Sequence, residues 1–328
     1  MMKWLMKLNG AFLIAALLFS GLWPASAQAQ FRKAGTTGYV FLEIPATARS
    51  SGMGETTVAL TDEAAASLLT NPSLLAFSAR GFHLYASSAN YLADIQHQCA
   101  AFGFSLGTAG FLGISLNYMD FGKMTHTVNA DPQNPGGSYL ILGNYTADAY
   151  ALGLTFSRKL TQSFAFGIKG KYVRERIDTY SSDNVLLDMG MVYQTRFRTF
   201  RLGGYIQNFG VDARYIGDSF KMPMIFRLGC AMEVWGSPRS ADRLTLAVDA
   251  LHPSDYSERL HVGAEWLLRG ALLLRAGYKF NYDEEGFTAG AGFRQKWKQY
   301  DFTLDVGYTD FGRLGSVLRF GLAISANK

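Results

Sequence analysis

From Gly81 to the end of the chain, apolar and polar side chains alternate with a period of two. In the stretch LLLRAGYKF at 272–280, Leu272, Leu274, Ala276, Tyr278 and Phe280 share one parity, and Arg275, Gly277 and Lys279 the other. Such alternation is the mark of a strand with one apolar and one polar face. About fourteen segments of this kind, each roughly nine to thirteen residues long, begin near 81, 96, 109, 145, 163, 184, 199, 223, 241, 258, 271, 286, 300 and 314. That is the length a tilted transmembrane strand needs. Turn residues such as Leu106-Gly107-Thr108, Arg269-Gly270 and Asp283-Glu284-Glu285-Gly286 fall between them. Three connections, 120–143, 176–183 and 210–222, read as long loops.

A soluble sandwich would alternate too, so the position of charge decides between the two. Phe164, Phe166, Ile168 and Tyr172 oppose Gly167, Lys169 and Lys171. Leu260, Val262, Ala264, Trp266 and Leu268 oppose Arg259, His261 and Glu265. Phe302, Leu304, Val306 and Tyr308 oppose Asp301 and Asp305; Leu318, Phe320, Leu322 and Ile324 oppose Arg319. In a membrane barrel the apolar face meets hydrocarbon, where an ionised Arg or Lys costs about 2–4 kcal/mol at the midplane. Strict exclusion of charge from one face follows, and closure removes the open edge that a bilayer forbids. The pattern predicts an all-β, about 14-stranded antiparallel transmembrane barrel, with Lys169, Lys171, Arg259, Glu265, Arg275, Lys279, Asp305 and Arg319 facing the lumen. Leu273 shares their parity. Tyr118, Tyr172, Tyr193, Trp266, Tyr278 and Tyr308, near strand ends, suit interfacial girdles.

The first eighty residues have a different texture. Lys3 and Lys7, the apolar run Ala11–Trp23 and Ala25-Ser26-Ala27 read as an export signal over 1–27, with cleavage after Ala27 or Ala29. The run is short of the ~18 residues of a spanning helix. Residues 28–80 read as a plug and 81–328 as the barrel. Within the plug, Asp62 is placed to cap a short helix over EAAASLL, and Asn71-Pro72 to end it.

Composition agrees: charged residues are 17% of the chain, aromatics 14%, and there are 35 glycines, a profile of many strands and tight turns. Loss of the two signal lysines lowers the formal charge from +5 to +3, which gives no reason to expect nucleic acid as a partner. Cys99 and Cys230 lie inside strand segments and read as wall residues.

Candidate chemistry is sparse. Gly103-Phe104-Ser105-Leu106-Gly107 spells the string of a hydrolase elbow, yet it continues a strand into a hairpin where that chemistry needs a strand-to-helix turn. Gly52-Met53-Gly54 lacks the third glycine and the flanking elements of a dinucleotide site. His83, His97, His126, His252 and His261 show no ligand spacing. The expectation is a protein without catalytic residues, cofactor or metal.

The segment Tyr39–Phe77, YVFLEIPATARSSGMGETTVALTDEAAASLLTNPSLLAF, resembles the signature of the PorV/PorQ family of outer-membrane proteins. It has the Ala48-Arg49 pair, the Gly52-Met53-Gly54 turn, the acidic pair Asp62-Glu63 before an alanine-rich run, and Asn71-Pro72-Ser73-Leu74. Further likeness lies at 90–95, 171–177, 187–190 and 275–278. The approach Phe41-Leu42-Glu43-Ile44-Pro45 leans to the PorQ branch, whereas Gly-Met-Gly is nearer to general members. The chain ends in Asn327-Lys328 and not in a terminal aromatic; Phe320 can serve in its place. The resemblance implies a FadL-like barrel in the outer membrane of a Gram-negative, Bacteroidetes-like bacterium, surrounded by lipid. It also implies a non-enzymatic part in type IX secretion, with cargo sorting domains and a sortase-like or surface-anchored protein as partners. The competing expectation is a FadL-like channel with a hydrophobic ligand in the lumen.

Overall fold

The computed structural model describes residues 35–326 apart from 63, 131–132 and 134–137. The export signal, residues 28–34 of the plug, Glu63, the turn signals Asp131-Pro132 and Asn134-Pro135-Gly136-Gly137, and the terminal Asn327-Lys328 lie outside the described residues. Among those described, fourteen antiparallel strands close into one barrel.

The wall begins with β1 (Phe82–Asn90), β2 (Gln96–Ser105), β3 (Phe111–Asn129), β4 (Tyr139–Lys159), β5 (Phe164–Ile177), β6 (Tyr180–Gln194) and β7 (Arg201–Phe209). A small hairpin, β8 (Ala213–Arg214) and β9 (Ser219–Phe220), stands apart from it. The wall resumes with β10 (Ile225–Trp235), β11 (Arg243–Pro253), β12 (Arg259–Leu268), β13 (Leu272–Phe280), β14 (Phe287–Trp297), β15 (Tyr300–Asp310) and β16 (Ser316–Ala326). Each strand pairs with its neighbour in sequence, β7 with β10 across the hairpin, and β1 closes on β16 from Phe82↔Ala326 to Asn90↔Leu318.

Parity sets the two surfaces, as the pattern predicts. On β13 the side chains of Leu272, Leu274, Tyr278 and Phe280 are exposed, and Leu273, Arg275 and Lys279 are buried inside. The register pairs inward with inward, Glu265↔Arg275 and His261↔Lys279 for example, so charges of adjacent strands meet in the lumen. Tyr172, Tyr193, Trp266 and Tyr278 are exposed on the outer face.

Three sequence expectations are corrected. Residues 120–143 are mostly strand: β3 and β4 run on past the wall as a two-stranded ribbon, paired with each other from Lys123↔Thr146 to Asn129↔Tyr139. The β-branched and aromatic residues there favour strand beyond the closed wall. The 176–183 connection shrinks to Asp178-Thr179, because Asp178 takes a left-handed φ of 55° that closes a tight hairpin. In the plug, the expected helix is only the single turn Ala64–Ser67, and the Asp62 carboxylate is engaged by two arginines. Asn71 instead caps a 3-10 turn over Pro72–Phe77, its Oδ1 accepting the Ser73 N–H at 3.1 Å.

Residues 35–80 thread the lumen from one rim to the other. At the end that carries the longer loops, Thr37 bridges Lys221 and its hydroxyl donates to Asp255 at 2.6 Å. At the end of the short turns, Arg80 is paired with Asp301.

Candidate functional site

The seat of the plug is built from backbone. Thr47 caps a one-turn helix, α1 (Ala48–Gly52), its Oγ1 accepting the Ser50 N–H at 3.1 Å. The turn Gly52-Met53-Gly54 then lies directly on the inner wall. A Cβ on Gly52 would stand 2.9 Å from the Gly290 Cα, and one on Gly54, whose φ is +61°, 2.9 Å from the Val262 carbonyl oxygen. The wall answers with glycines of its own. A Cβ at Gly277 would collide with the Gly54 nitrogen, one at Gly307 with the Ala48 carbonyl and one at Gly263 with the Met53 carbonyl. The Asn71-Pro72 element sits likewise on Gly167 and Gly190. Glycine on both sides lets main chain meet main chain, which any side chain would prevent.

Charges then fasten the seat. Arg49 donates from Nε and Nη2 to both oxygens of Glu265 at 2.9 and 2.7 Å, and its Nη1 lies 2.8 Å from Asp62. Arg243 pairs with the other Asp62 oxygen. Arg275 bridges Glu265 at 2.7 Å and Asp305 at 2.6 Å. Three guanidinium groups and three carboxylates thus alternate in one chain, balanced in charge. Burial alone would raise the Asp62 carboxyl, but the guanidinium groups of Arg49 and Arg243 hold it well below the usual carboxylate range.

Lys279 pairs with Glu55 of the plug at 2.8 Å and with Glu285. Burial opposes ionisation of Glu55, yet the Lys279 ammonium wins and lowers its carboxyl to about 2. Lys169 and Lys171 share Asp188 at 3.1 and 2.8 Å, and Asp188 also accepts from Tyr205 and the Asn208 amide. Among the described residues the two remaining expected cations have no carboxylate within ion-pair distance: Arg319 contacts His97 Nδ1 at 2.6 Å, and Arg259 packs over Tyr256 and Tyr282.

The structure therefore brings Arg49, Asp62, Glu265, Arg275 and Asp305 together, and places Lys279, Lys169, Lys171, Arg259 and Arg319 elsewhere in the lumen. Glu55, Asp188 and Arg227 were not foreseen as lumen charges, and Arg243, on the polar parity of its strand, was foreseen without its partner. The inward parity of Asp188, Arg227 and Arg243 was available as a signal, whereas Glu55 lies in the plug, where no strand alternation marks it; the partners were not legible, since parity gives the face and not the height. Cys99 faces the lumen beside His97 and Asn117. Ser105 ends β2, its Oγ accepting the Gly107 N–H at 3.1 Å. Among the described residues no group of three or more His, Cys, Asp or Glu could hold a metal.

Between plug and wall lies a cavity of about 60 Å³ lined by Glu43, Glu55, Lys169, Lys171, Tyr205 and Arg227. At ~10–15 Å³ per water it has room for a few waters. Burial, reinforced by the Asp255 charge and offset in part by Arg259 and Arg227, pushes the Glu43 carboxyl up to about 7. On the outer face, an apolar depression of about 520 Å³ is formed by Leu84, Phe102, Ile114, Leu116, Leu152 and Leu154 around the small residues Ala100 and Gly170. Ser115 and Gly153 line both spaces, so a single layer of backbone divides them.

The fold is similar to that of several solved structures. The P. putida toluene transporter TodX is similar at a TM-score of 0.60 and 13% identity, over 87% of this chain and 99% of that one. The Ralstonia pickettii toluene transporter TbuX gives 0.57 and 11%, over 86% and 97%, and the CymD monoaromatic hydrocarbon channel 0.55 and 12%, over 88% and 97%. The fold is FadL-like. No family model and no curated relative matches the sequence, so the likeness to the PorV/PorQ family stays a resemblance.

Proposed function

We propose that the protein is a non-enzymatic outer-membrane channel for small hydrophobic molecules, with membrane lipid around its wall and the plug as its gate. The observation that carries this reading is the thin partition at Ser115 and Gly153, with an apolar depression on the lipid side and the interior cavity behind it. The names of TodX, TbuX and CymD support the solute class. By the rule that outer-membrane barrels keep short turns in the periplasm and long loops outside, the end carrying Arg80 faces the periplasm. A polar space of a few waters does not admit an aromatic hydrocarbon, so passage requires the plug to shift.

The test is uptake of radiolabelled toluene by cells with and without the gene, and with Gly153→Val, whose side chain would press on Ser115 and Lys169. Faster uptake with the wild-type gene and a fall in the variant are expected. Equal rates with and without the gene reject the channel.

A second reading, a docking platform in type IX secretion, is favoured by the projecting ribbon, where Tyr139, Leu140, Ile141 and Leu142 are all exposed. It joins the motif resemblance at Ala48, Arg49, Gly52, Met53, Gly54, Asp62, Asn71 and Pro72. Affinity purification from outer membranes would recover a sortase-like or surface-anchored protein, and gene deletion would release cargo into the medium. Normal cargo attachment in the deletion strain rejects it.

A further inference from the structure

The two ends of the barrel carry opposite charge. At the turn end, Arg158 and Lys159 stand at the β4–β5 turn, Arg196 and Arg198 at β6–β7, and Arg239 at β10–β11. Arg269 follows at β12–β13, and Lys296 with Lys298 at β14–β15. All eight are exposed. Counted over the same turns and strand ends, the described acids are Glu233 and Asp301, held by Arg201 and Arg80, and Asp242, whose carboxylate accepts the Arg269 amide. None of Arg158, Arg196, Arg239, Arg269 and Lys296 has a carboxylate within ion-pair distance among the described residues. The described loops of the other end carry Asp94, Asp178, Asp212, Asp218, Asp255, Glu258, Asp283, Glu284 and Glu285 against Arg214, Lys221 and Arg313, a negative excess.

Position narrows what the cations meet. They occur at five of the six turns and so encircle the rim, where a folded protein partner would engage one sector. Exposed aromatics lie just beside them: Trp235 and Trp297 end their strands, and Phe197 lies in the β6–β7 turn. The Lys298 Nζ sits 5.3 Å from the Trp297 ring centroid and the Arg198 guanidinium 5.9 Å from that of Phe197. Aromatic rings at the height where hydrocarbon ends, with long cationic chains reaching past them, form the arrangement that places basic heads among lipid headgroups.

We propose that this rim is a girdle that binds anionic phospholipid headgroups of the periplasmic leaflet. Each basic side chain near an anionic surface adds attraction that fades within a Debye length, so the preference for anionic lipid is cumulative and sensitive to salt. The binding goes beyond the channel reading and does not depend on passage through the lumen, so its failure and that of the channel are separable.

The full-length mature protein, reconstituted in phosphatidylcholine vesicles, is probed with spin-labelled phosphatidylglycerol and, separately, spin-labelled phosphatidylcholine; the fraction of each immobilised at the protein is read by electron spin resonance. A preference of about fivefold for phosphatidylglycerol at low salt, shrinking in high salt, is expected. The variant Arg196→Gln, Arg198→Gln, Lys296→Gln, Lys298→Gln, which removes four of the eight cations, should lose about half of that preference while its unheated gel mobility shows a folded barrel. Equal immobilisation of the two lipids, which would leave the rim to an acidic protein, overturns the proposal. So does a preference unchanged in the folded variant.

Discussion

Arg49 holds two carboxylates that come from different parts of the chain, Asp62 of the plug and Glu265 of β12. Removing its charge leaves Asp62 with Arg243 and Glu265 with Arg275, so the net balance inside turns negative by one. Breaking a buried pair in this way costs about 3–5 kcal/mol. Arg49→Ala is therefore expected to lower the urea midpoint of the detergent-solubilised protein and to open residues 48–62 to protease before the wall unfolds. An unchanged midpoint with a protected plug would contradict the fastening role. Glu43 yields a pH effect of definite sign. Its carboxyl titrates near 7 in the fold against an ordinary 4.5, so the folded state binds the proton more tightly. The stability it contributes is complete below about pH 4.5 and is lost as the pH rises through 7. The loss is on the order of 1–3 kcal/mol. Urea unfolding at pH 5 and pH 8 should show that difference in the wild type and not in Glu43→Gln; an equal difference in both would assign it to other groups. Arg49 and Asp62 were legible from sequence only as separate pieces of the family motif, with Asp62 read as a helix cap; that they pair is visible only in the structure. Their lumen partners could be placed on the right face only, because a register of strands fixes who meets whom.

At the scale of elements, alternation located the strands to within a few residues wherever a strand spans the wall. It failed where strand continues beyond the wall. Residues 121–129 and 139–146 hold β-forming side chains, but the ladders with β2 and β5 stop at Asp120↔Gln96 and Ala147↔Ile177. Nothing in a local pattern tells a ribbon in water from a loop. Because the flanking ladders end there, replacing 124–145 with a two-residue turn should leave the barrel intact, seen as unaltered heat-modifiable mobility on a gel. A shortened chain that no longer folds would mean that the ribbon supports the wall. The inward glycines were legible as residues and opaque as a seat: Gly263, Gly277, Gly290 and Gly307 show their purpose only when Gly52-Met53-Gly54 lies across them.

For the whole molecule, closure puts apolar side chains outside and ionised ones within, and this inversion of a soluble core was readable from charge placement alone. Leu274 tests it. Its side chain is exposed on the outer face, opposite in parity to Arg275. Leu274→Arg would bring a cation to the hydrocarbon at about 2–4 kcal/mol if near the midplane, and folding into lipid vesicles should fall accordingly. Undiminished folding yield would show that this surface meets something other than lipid. The size of the interior space was not legible, since it depends on how far the plug fills the lumen. That filling segment is held at both rims, by Thr37 on Lys221 and Asp255 at one and by Arg80 on Asp301 at the other. A rope tied at both ends cannot be drawn out like a cork. Any way through must open by slack appearing between the knots, which makes the length of chain from Leu42 to Thr70 the spare line from which a passage would be paid out.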